Sequence, residues 1–112
     1  MKYTGGCHCG AVRYEVDTNI EKIIECNCSH CHKKGLWLHF AEKDKFKLLS
    51  GADNLTEYHF NKKVIHHKFC KTCGVQSFSD NDSFPKMAIN VRCLEDFDAG
   101  ATPIEKVDGK DY

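Results

Sequence analysis

Seven of the eight cysteines fall into three tight clusters: Cys7-His8-Cys9, Cys26-Asn27-Cys28-Ser29-His30-Cys31, and Cys70-Lys71-Thr72-Cys73. Thiolates at such spacing hold metal ions or react. Seven do not divide evenly into four-ligand sites, because one closed site of four leaves a set of three. Zinc held by four protein ligands is structural. Zinc with three protein ligands and one open position is the form of a catalytic site. The arithmetic therefore points to an enzyme.

Cys70 and Cys73 have the C-x-x-C spacing that chelates one tetrahedral ion from a tight turn, and Gly74 follows to let the chain leave with positive φ. A second pair, Cys7 and Cys9, is closer than usual, but Gly5, Gly6 and Gly10 give its backbone the freedom to aim both sulfurs at one ion. Joining the two pairs fastens the start of the chain to a strand sixty residues later, and a clasp of this kind contributes folding free energy directly. A thioredoxin-like redox pair would need a βαβ context around Cys70, which is not visible. A secreted disulfide framework is disfavoured because C-x-C cysteines bridge each other poorly.

The middle cluster places Cys26, Cys28 and Cys31 within six residues. Three thiolates there can hold a second zinc, giving two per chain. From spacing alone the fourth position is either open or closed by His30, His32, His66, His67 or Cys93. Three thiolates donate strongly, so such an ion is a weak Lewis acid for activating water. The same softness suits a fourth sulfur, and an incoming thiol loses its proton on coordination. Ligand type thus favours binding and exchange of a substrate thiol over hydrolysis. Among the other candidates, His39 and His59 read as surface residues of alternating strands. His66 and His67 read as residues flanking a strand, with acid/base work as the sharper alternative. Cys93 reads as a buried thiol, and Trp37 and Phe78 as core.

Strands must position these clusters. Period-2 alternation marks 11–16 and 36–40, and short apolar runs mark 20–26, 46–49, 75–79 and 87–91. Residues 55–60 and 64–69 flank Asn61-Lys62-Lys63 as a hairpin. Ser29 is a good N-cap for a turn of helix running to Lys34, and a second helical turn is expected over 94–99. Many short strands at close intervals indicate an all-β domain. The 112 residues suit one domain, 1–112.

Lys and Arg number 16, as do Asp and Glu, so the formal net charge is zero. Residues 1–75 carry 12 basic against 8 acidic groups and residues 76–112 carry 4 against 8, which reads as two solvated faces. The balance lacks the basic footprint of a nucleic-acid partner. No apolar run is long enough to span a bilayer, and no signal-peptide pattern precedes Cys7. The expectation is a cytoplasmic protein with reduced cysteines and no membrane association.

Four segments resemble the glutathione-dependent formaldehyde-activating enzyme family, which also includes centromere protein V. They are Gly5-Gly6-Cys7-His8-Cys9-Gly10-Ala11-Val12-Arg13-Tyr14, Cys26-Asn27-Cys28-Ser29-His30-Cys31-His32-Lys33-Lys34-Gly35, Phe69-Cys70-Lys71-Thr72-Cys73-Gly74, and Ile89-Asn90-Val91-Arg92-Cys93-Leu94. The resemblance implies an all-β, Mss4-like β-tent clasped by structural zinc. It implies that Cys7, Cys9, Cys70 and Cys73 bind that structural ion, and that Cys26, Cys28 and Cys31 bind a catalytic zinc with an open position. It also implies a carbon–sulfur lyase that joins formaldehyde to glutathione as S-hydroxymethylglutathione, and reverses the step. The late aromatic of the family's ending stands here as Tyr112, after Asp108-Gly109-Lys110-Asp111. The competing reading is a non-enzymatic, zinc-stabilised binding module for protein or nucleic acid. The even charge balance and the lack of a basic tail count against it.

Overall fold

The computed structural model describes residues 1–26, 29–59, 65–81, 85–95 and 97–107. In chain order the strands are β1 (Lys2–Gly6), β2 (Arg13–Asp17), β3 (Ile23–Cys26), β4 (Leu38–Glu42), β5 (Phe46–Ser50), β6 (Leu55–Tyr58), β7 (Ile65–Cys70), β8 (Phe78–Asn81), β9 (Lys86–Asn90) and β10 (Ile104–Val107). The helix α1 (Ser29–Lys34) lies between β3 and β4. The all-β expectation holds: the protein is mostly sheet with little helix.

Two sheets account for all of these strands. The smaller is antiparallel with order β1-β2-β5, and the larger has seven strands in the order β10-β3-β4-β9-β8-β7-β6. Within the larger, β10 runs parallel to β3 and the other pairs are antiparallel. Strand β2 shows why the alternation was readable. Tyr14 and Val16 are fully inside while Arg13 and Glu15 face outward, as a half-buried strand requires.

Aromatic rings tie the two sheets together. Tyr14 of β2 stacks on Phe46 of β5 at 5.1 Å and meets Phe78 of β8 edge-on at 5.8 Å. Phe46 and Phe78 are 4.8 Å apart. Val12, Val16, Ile23, Ile89 and Val91 fill the space around them, together with Cys7 and Cys70. Each fully buried large apolar side chain stabilises the fold by about 1.5–3 kcal/mol. Because two of the clustered cysteines belong to this core, the metal-ligand candidates and the hydrophobic packing form one unit.

A glycine is required where β1 meets a later segment. A Cβ on Gly5 would lie 2.6 Å from the Cys93 carbonyl oxygen and 3.0 Å from the Tyr14 hydroxyl. This close approach lets Gly5 bridge to Leu94, while the Glu95 N–H donates to the Thr4 carbonyl at 2.9 Å. An Arg13–Glu95 ion pair fastens the same segment to β2.

That docking overturns the helical turn expected over 94–99. Residues 91–93 form a 3-10 turn instead, capped by the Asn90 side chain, which accepts from the Arg92 N–H at 3.2 Å. Leu94 is extended and buried against β1, and a further 3-10 turn covers 99–101. The edge of β1 offered Glu95 a backbone partner that a helix would have forfeited. Strand β2 begins at Arg13 rather than Ala11, because Val12 closes the turn at Cys7. Likewise Val75 to Ser77 is irregular before β8. Strands β1 and β10 were not anticipated. Asn61-Lys62-Lys63, the expected hairpin tip, lies outside the described residues, as does Tyr112.

Candidate active site

Cys7 and Cys9 sit in the turn after β1, and Cys70 and Cys73 in the turn at the end of β7. The fold brings these four sulfurs within 4.8 Å of one another. Sγ of Cys9 is 3.6 Å from Sγ of Cys7 and 3.6 Å from Sγ of Cys70. Disulfide sulfurs would be about 2.05 Å apart. A tetrahedron with bonds of about 2.3 Å to sulfur has edges of about 3.8 Å, so the observed spacing fits a zinc-sized ion.

Both turns are built the same way. The Cys7 N–H donates to the Val12 carbonyl at 3.1 Å, and the Val12 N–H returns to Cys7 Sγ at 3.3 Å. The Cys70 N–H donates to the Val75 carbonyl at 3.1 Å, and Cys70 Sγ accepts from the Thr72 N–H at 3.4 Å and the Asn54 amide at 3.3 Å. Gly74 leaves the second turn at φ +80°, as its position after the pair requires, and its N–H donates to the Cys70 carbonyl at 2.9 Å. Backbone N–H groups aimed at sulfur favour thiolate over thiol. The Cys73 and Thr72 amides accordingly hold Cys70 below the usual thiol range, and the Val75 and Cys9 amides do the same for Cys73.

The second cluster is partly placed. Cys26 ends β3 and Cys31 lies in the middle of α1, while Cys28 lies outside the described residues. Cys26 and Cys31 share a small apolar cluster with Ile24, Leu36, Leu38 and Ala88, apart from the main core. Cys31 is 8% exposed there. The helix that carries it starts at Ser29 and ends at Lys34, as the sequence suggests, with Gly35 at φ +65° closing it.

His30, next to Cys31, faces the hairpin of β6 and β7. Its ring centroid is 4.0 Å from that of His67 and 5.7 Å from that of Tyr58, the latter in a stacked arrangement. Tyr58 and His67 are cross-strand partners. Burial, reinforced by the charge of Lys34, lowers the His30 pKa. Burial also pushes His67 down to about 4, with His30 and Lys34 adding to it. Both rings are therefore neutral at neutral pH. The Lys34 ammonium is pinned by a 2.8 Å bond to Gln76 Oε1 and lies 4.7 Å over the Phe69 ring.

The fourth-ligand candidates scatter. His66 joins Glu57 and His59 on the hairpin. His67 stands against His30. Cys93 is half-buried, its Sγ donating to the Gln76 carbonyl at 3.8 Å, and burial raises its pKa. His32 is exposed on α1. His39 is not a simple surface residue: it is half-buried with Nε2 2.8 Å from Thr18 Oγ1. Phe78 is core, whereas Trp37 packs at the core's edge, donating to Glu25 Oε2 at 2.9 Å beneath the Arg92 guanidinium.

The model of the glutathione-dependent formaldehyde-activating enzyme family matches residues 2–107. The chain belongs to that family. A crystal structure of a Rhodobacter sphaeroides protein is similar at 33% identity, covering 91% of this chain and 99% of that one with a TM-score of 0.80. Membership in the glutathione-dependent formaldehyde-activating enzyme family supports a function in formaldehyde activation with glutathione as the small-molecule thiol. Among the described residues no helix is long and apolar enough to cross a membrane.

Sequence reasoning missed the Glu57–His59–His66 group, whose ligand atoms also lie within 4.8 Å of one another. The signal was present. Glu57 and His59 are two apart on one strand, and the hairpin register sets His66 opposite.

Proposed function

We propose that this protein is a zinc-dependent carbon–sulfur lyase that forms and cleaves S-hydroxymethylglutathione or a closely related thiol adduct. In this reading Cys7, Cys9, Cys70 and Cys73 hold a structural zinc, and Cys26, Cys28 and Cys31 hold a second. One observation carries it: the fold gathers four of the seven clustered sulfurs into one group. That leaves the other three as a second set, two of which, Cys26 and Cys31, share a small apolar cluster. When bound at the second set, zinc supplies a soft position at which a substrate thiol loses its proton.

The sulfur adds to the carbonyl carbon of formaldehyde, the carbon–oxygen π pair moves onto oxygen, and that oxygen takes up a proton. Cleavage is the reverse. The chain's own groups serve this step beside the three cysteines. His30 and His67 present neutral imidazoles that donate or accept hydrogen bonds without adding charge. Tyr58 stacks on His30 and holds the ring in place. Lys34 supplies a fixed positive charge on the same helix, suited to a peptide carboxylate.

We also read residues 1–112 as one domain. The radius of gyration is 13.1 Å, against about 13 Å for a single compact domain of this length. A cytoplasmic setting is proposed with it, because the chemistry needs reduced thiols.

The test combines metal analysis with exchange NMR of 13C-formaldehyde and glutathione. Two zinc ions per chain are expected, with exchange faster than the uncatalysed reaction and lost in Cys28→Ser. A single zinc per chain, or exchange no faster than without protein, refutes the proposal.

A further inference from the structure

We propose that Glu57, His59 and His66 form a binding site for a borderline divalent transition ion, on the outer face of the β6–β7 hairpin and separate from the cysteine clusters. His59 Nε2 and His66 Nδ1 both converge on one oxygen, Glu57 Oε2, at 3.0 and 3.2 Å. The three ligand atoms lie within 4.8 Å of one another. Metal bonds to imidazole nitrogen and carboxylate oxygen are about 2.0–2.2 Å, so neighbouring ligands are about 2.8–3.1 Å apart in an octahedral shell and about 3.3–3.6 Å apart in a tetrahedral one. The separations of 3.0 and 3.2 Å fall within the span of such edges.

The hairpin explains the convergence. Tyr58 pairs with His67 across β6 and β7. Carrying the register one step further sets His59 against His66, whose rings meet edge-on with centroids 4.9 Å apart. Glu57 shares the face of His59 because residues two apart on a strand point the same way. The group is open to solvent, with side-chain exposures of 38% for Glu57, 31% for His59 and 24% for His66.

The donor set selects the ion. Two imidazoles and a carboxylate suit zinc, nickel, cobalt or copper, whereas calcium and magnesium require oxygen ligands. Lys68 lies beside this group, its Nζ 3.9 Å from Glu57 Oε1. It also lies 3.6 Å from Asp80 Oδ2, so it keeps a carboxylate partner while Glu57 Oε2 turns to the ion. Binding needs no redox step. Each imidazole gives its lone pair to the ion, with its remaining N–H on the other ring nitrogen.

The experiment is equilibrium dialysis of the zinc-loaded full chain against Ni²⁺, with bound metal counted by mass spectrometry. Wild type is expected to take up one nickel beyond its zinc. That equivalent is expected to be lost in His59→Gln/His66→Gln and in Glu57→Gln, with zinc content and thermal midpoint unchanged. Nitrogen-15 spectra of the histidines of the zinc-loaded protein should show the His59 and His66 ring nitrogens shifting when further Zn²⁺ is added. The site is overturned if wild type takes up no nickel, if the variants take up as much as wild type, or if neither ring shifts.

Discussion

Replacing Cys70 by serine and replacing Cys26 by serine should damage the protein in different ways. Cys70 is 0% exposed, sits in the main core and accepts from Thr72 and Asn54. With Cys9 it would close a loop of 61 residues through the ion. Cross-linking a loop of that length removes chain entropy worth roughly 4 kcal/mol, by the relation used for disulfides. Domains of this size are stable by only about 5–15 kcal/mol. Cys70→Ser should therefore lose one zinc, lower the unfolding midpoint by tens of degrees or abolish cooperative unfolding, and lose activity as a consequence. Cys26 ends β3, between β10 and β4 in the larger sheet, and packs against the small satellite cluster rather than the main core. Cys26→Ser should keep the structural zinc and most of the stability while losing activity. Zinc counting, thermal unfolding by circular dichroism and the exchange assay together separate the two outcomes. A Cys70→Ser protein with wild-type zinc content and an unchanged midpoint would refute the assignment of the clasp.

Gly5→Ala should destabilise the fold by about 1–3 kcal/mol, read as a lower urea midpoint, because the new methyl would lie 2.6 Å from the Cys93 carbonyl and a backbone atom cannot swing aside. An unchanged midpoint would show that β1 and the 93–95 segment are not in close contact. His67, pushed down to about 4 from 6.5, binds a proton in the unfolded chain before it does so in the native one. Its contribution to stability is therefore fully present above pH 6.5 and is lost as pH falls toward 4. Lys34, His30, His59 and His66 all face it with positive or titratable groups and add to the same trend. Denaturant unfolding across that window should show a flatter pH dependence in His67→Gln, and identical slopes would contradict the burial of that ring.

Local pattern carried a good part of this structure. The alternation at Tyr14 and Val16, the short helix that begins at Ser29 and the glycine at position 74 each depend on a few neighbouring residues, so each could be read directly. Strand β10 could not be. Its four residues are all exposed, and what holds it is the parallel ladder from Ile104–Ile23 to Val107–Cys26. Strand β1 likewise owes its existence to β2 and to Leu94. The 94–99 segment had helix-compatible composition, but the free edge beside Thr4 and Gly5 outweighed it. In the candidate site, spacing singled out Cys7, Cys9, Cys70 and Cys73 as two pairs, and the fold brings those four sulfurs within 4.8 Å of one another. The histidines carry a weaker imprint, which for Glu57, His59 and His66 emerges only once the β6–β7 register is applied. Whether a ring meets Glu57, Thr18 or His30 depends on register and on which strands become neighbours, and a single histidine in a strand is silent about both.

The clasp between the two cysteine turns also has a consequence in time. Cys73 follows Cys7 by 66 residues, and synthesis at about 5–20 residues per second makes that an interval of roughly 3–13 s. Throughout it, Cys7 and Cys9 lack the two sulfurs that the fold later sets beside them. Strand β3 waits longer still, because its parallel neighbour β10 follows it by some eighty residues. The four sulfurs can therefore meet only after Cys73 has been made, and until then Cys7 and Cys9 are open to oxidants and stray metal.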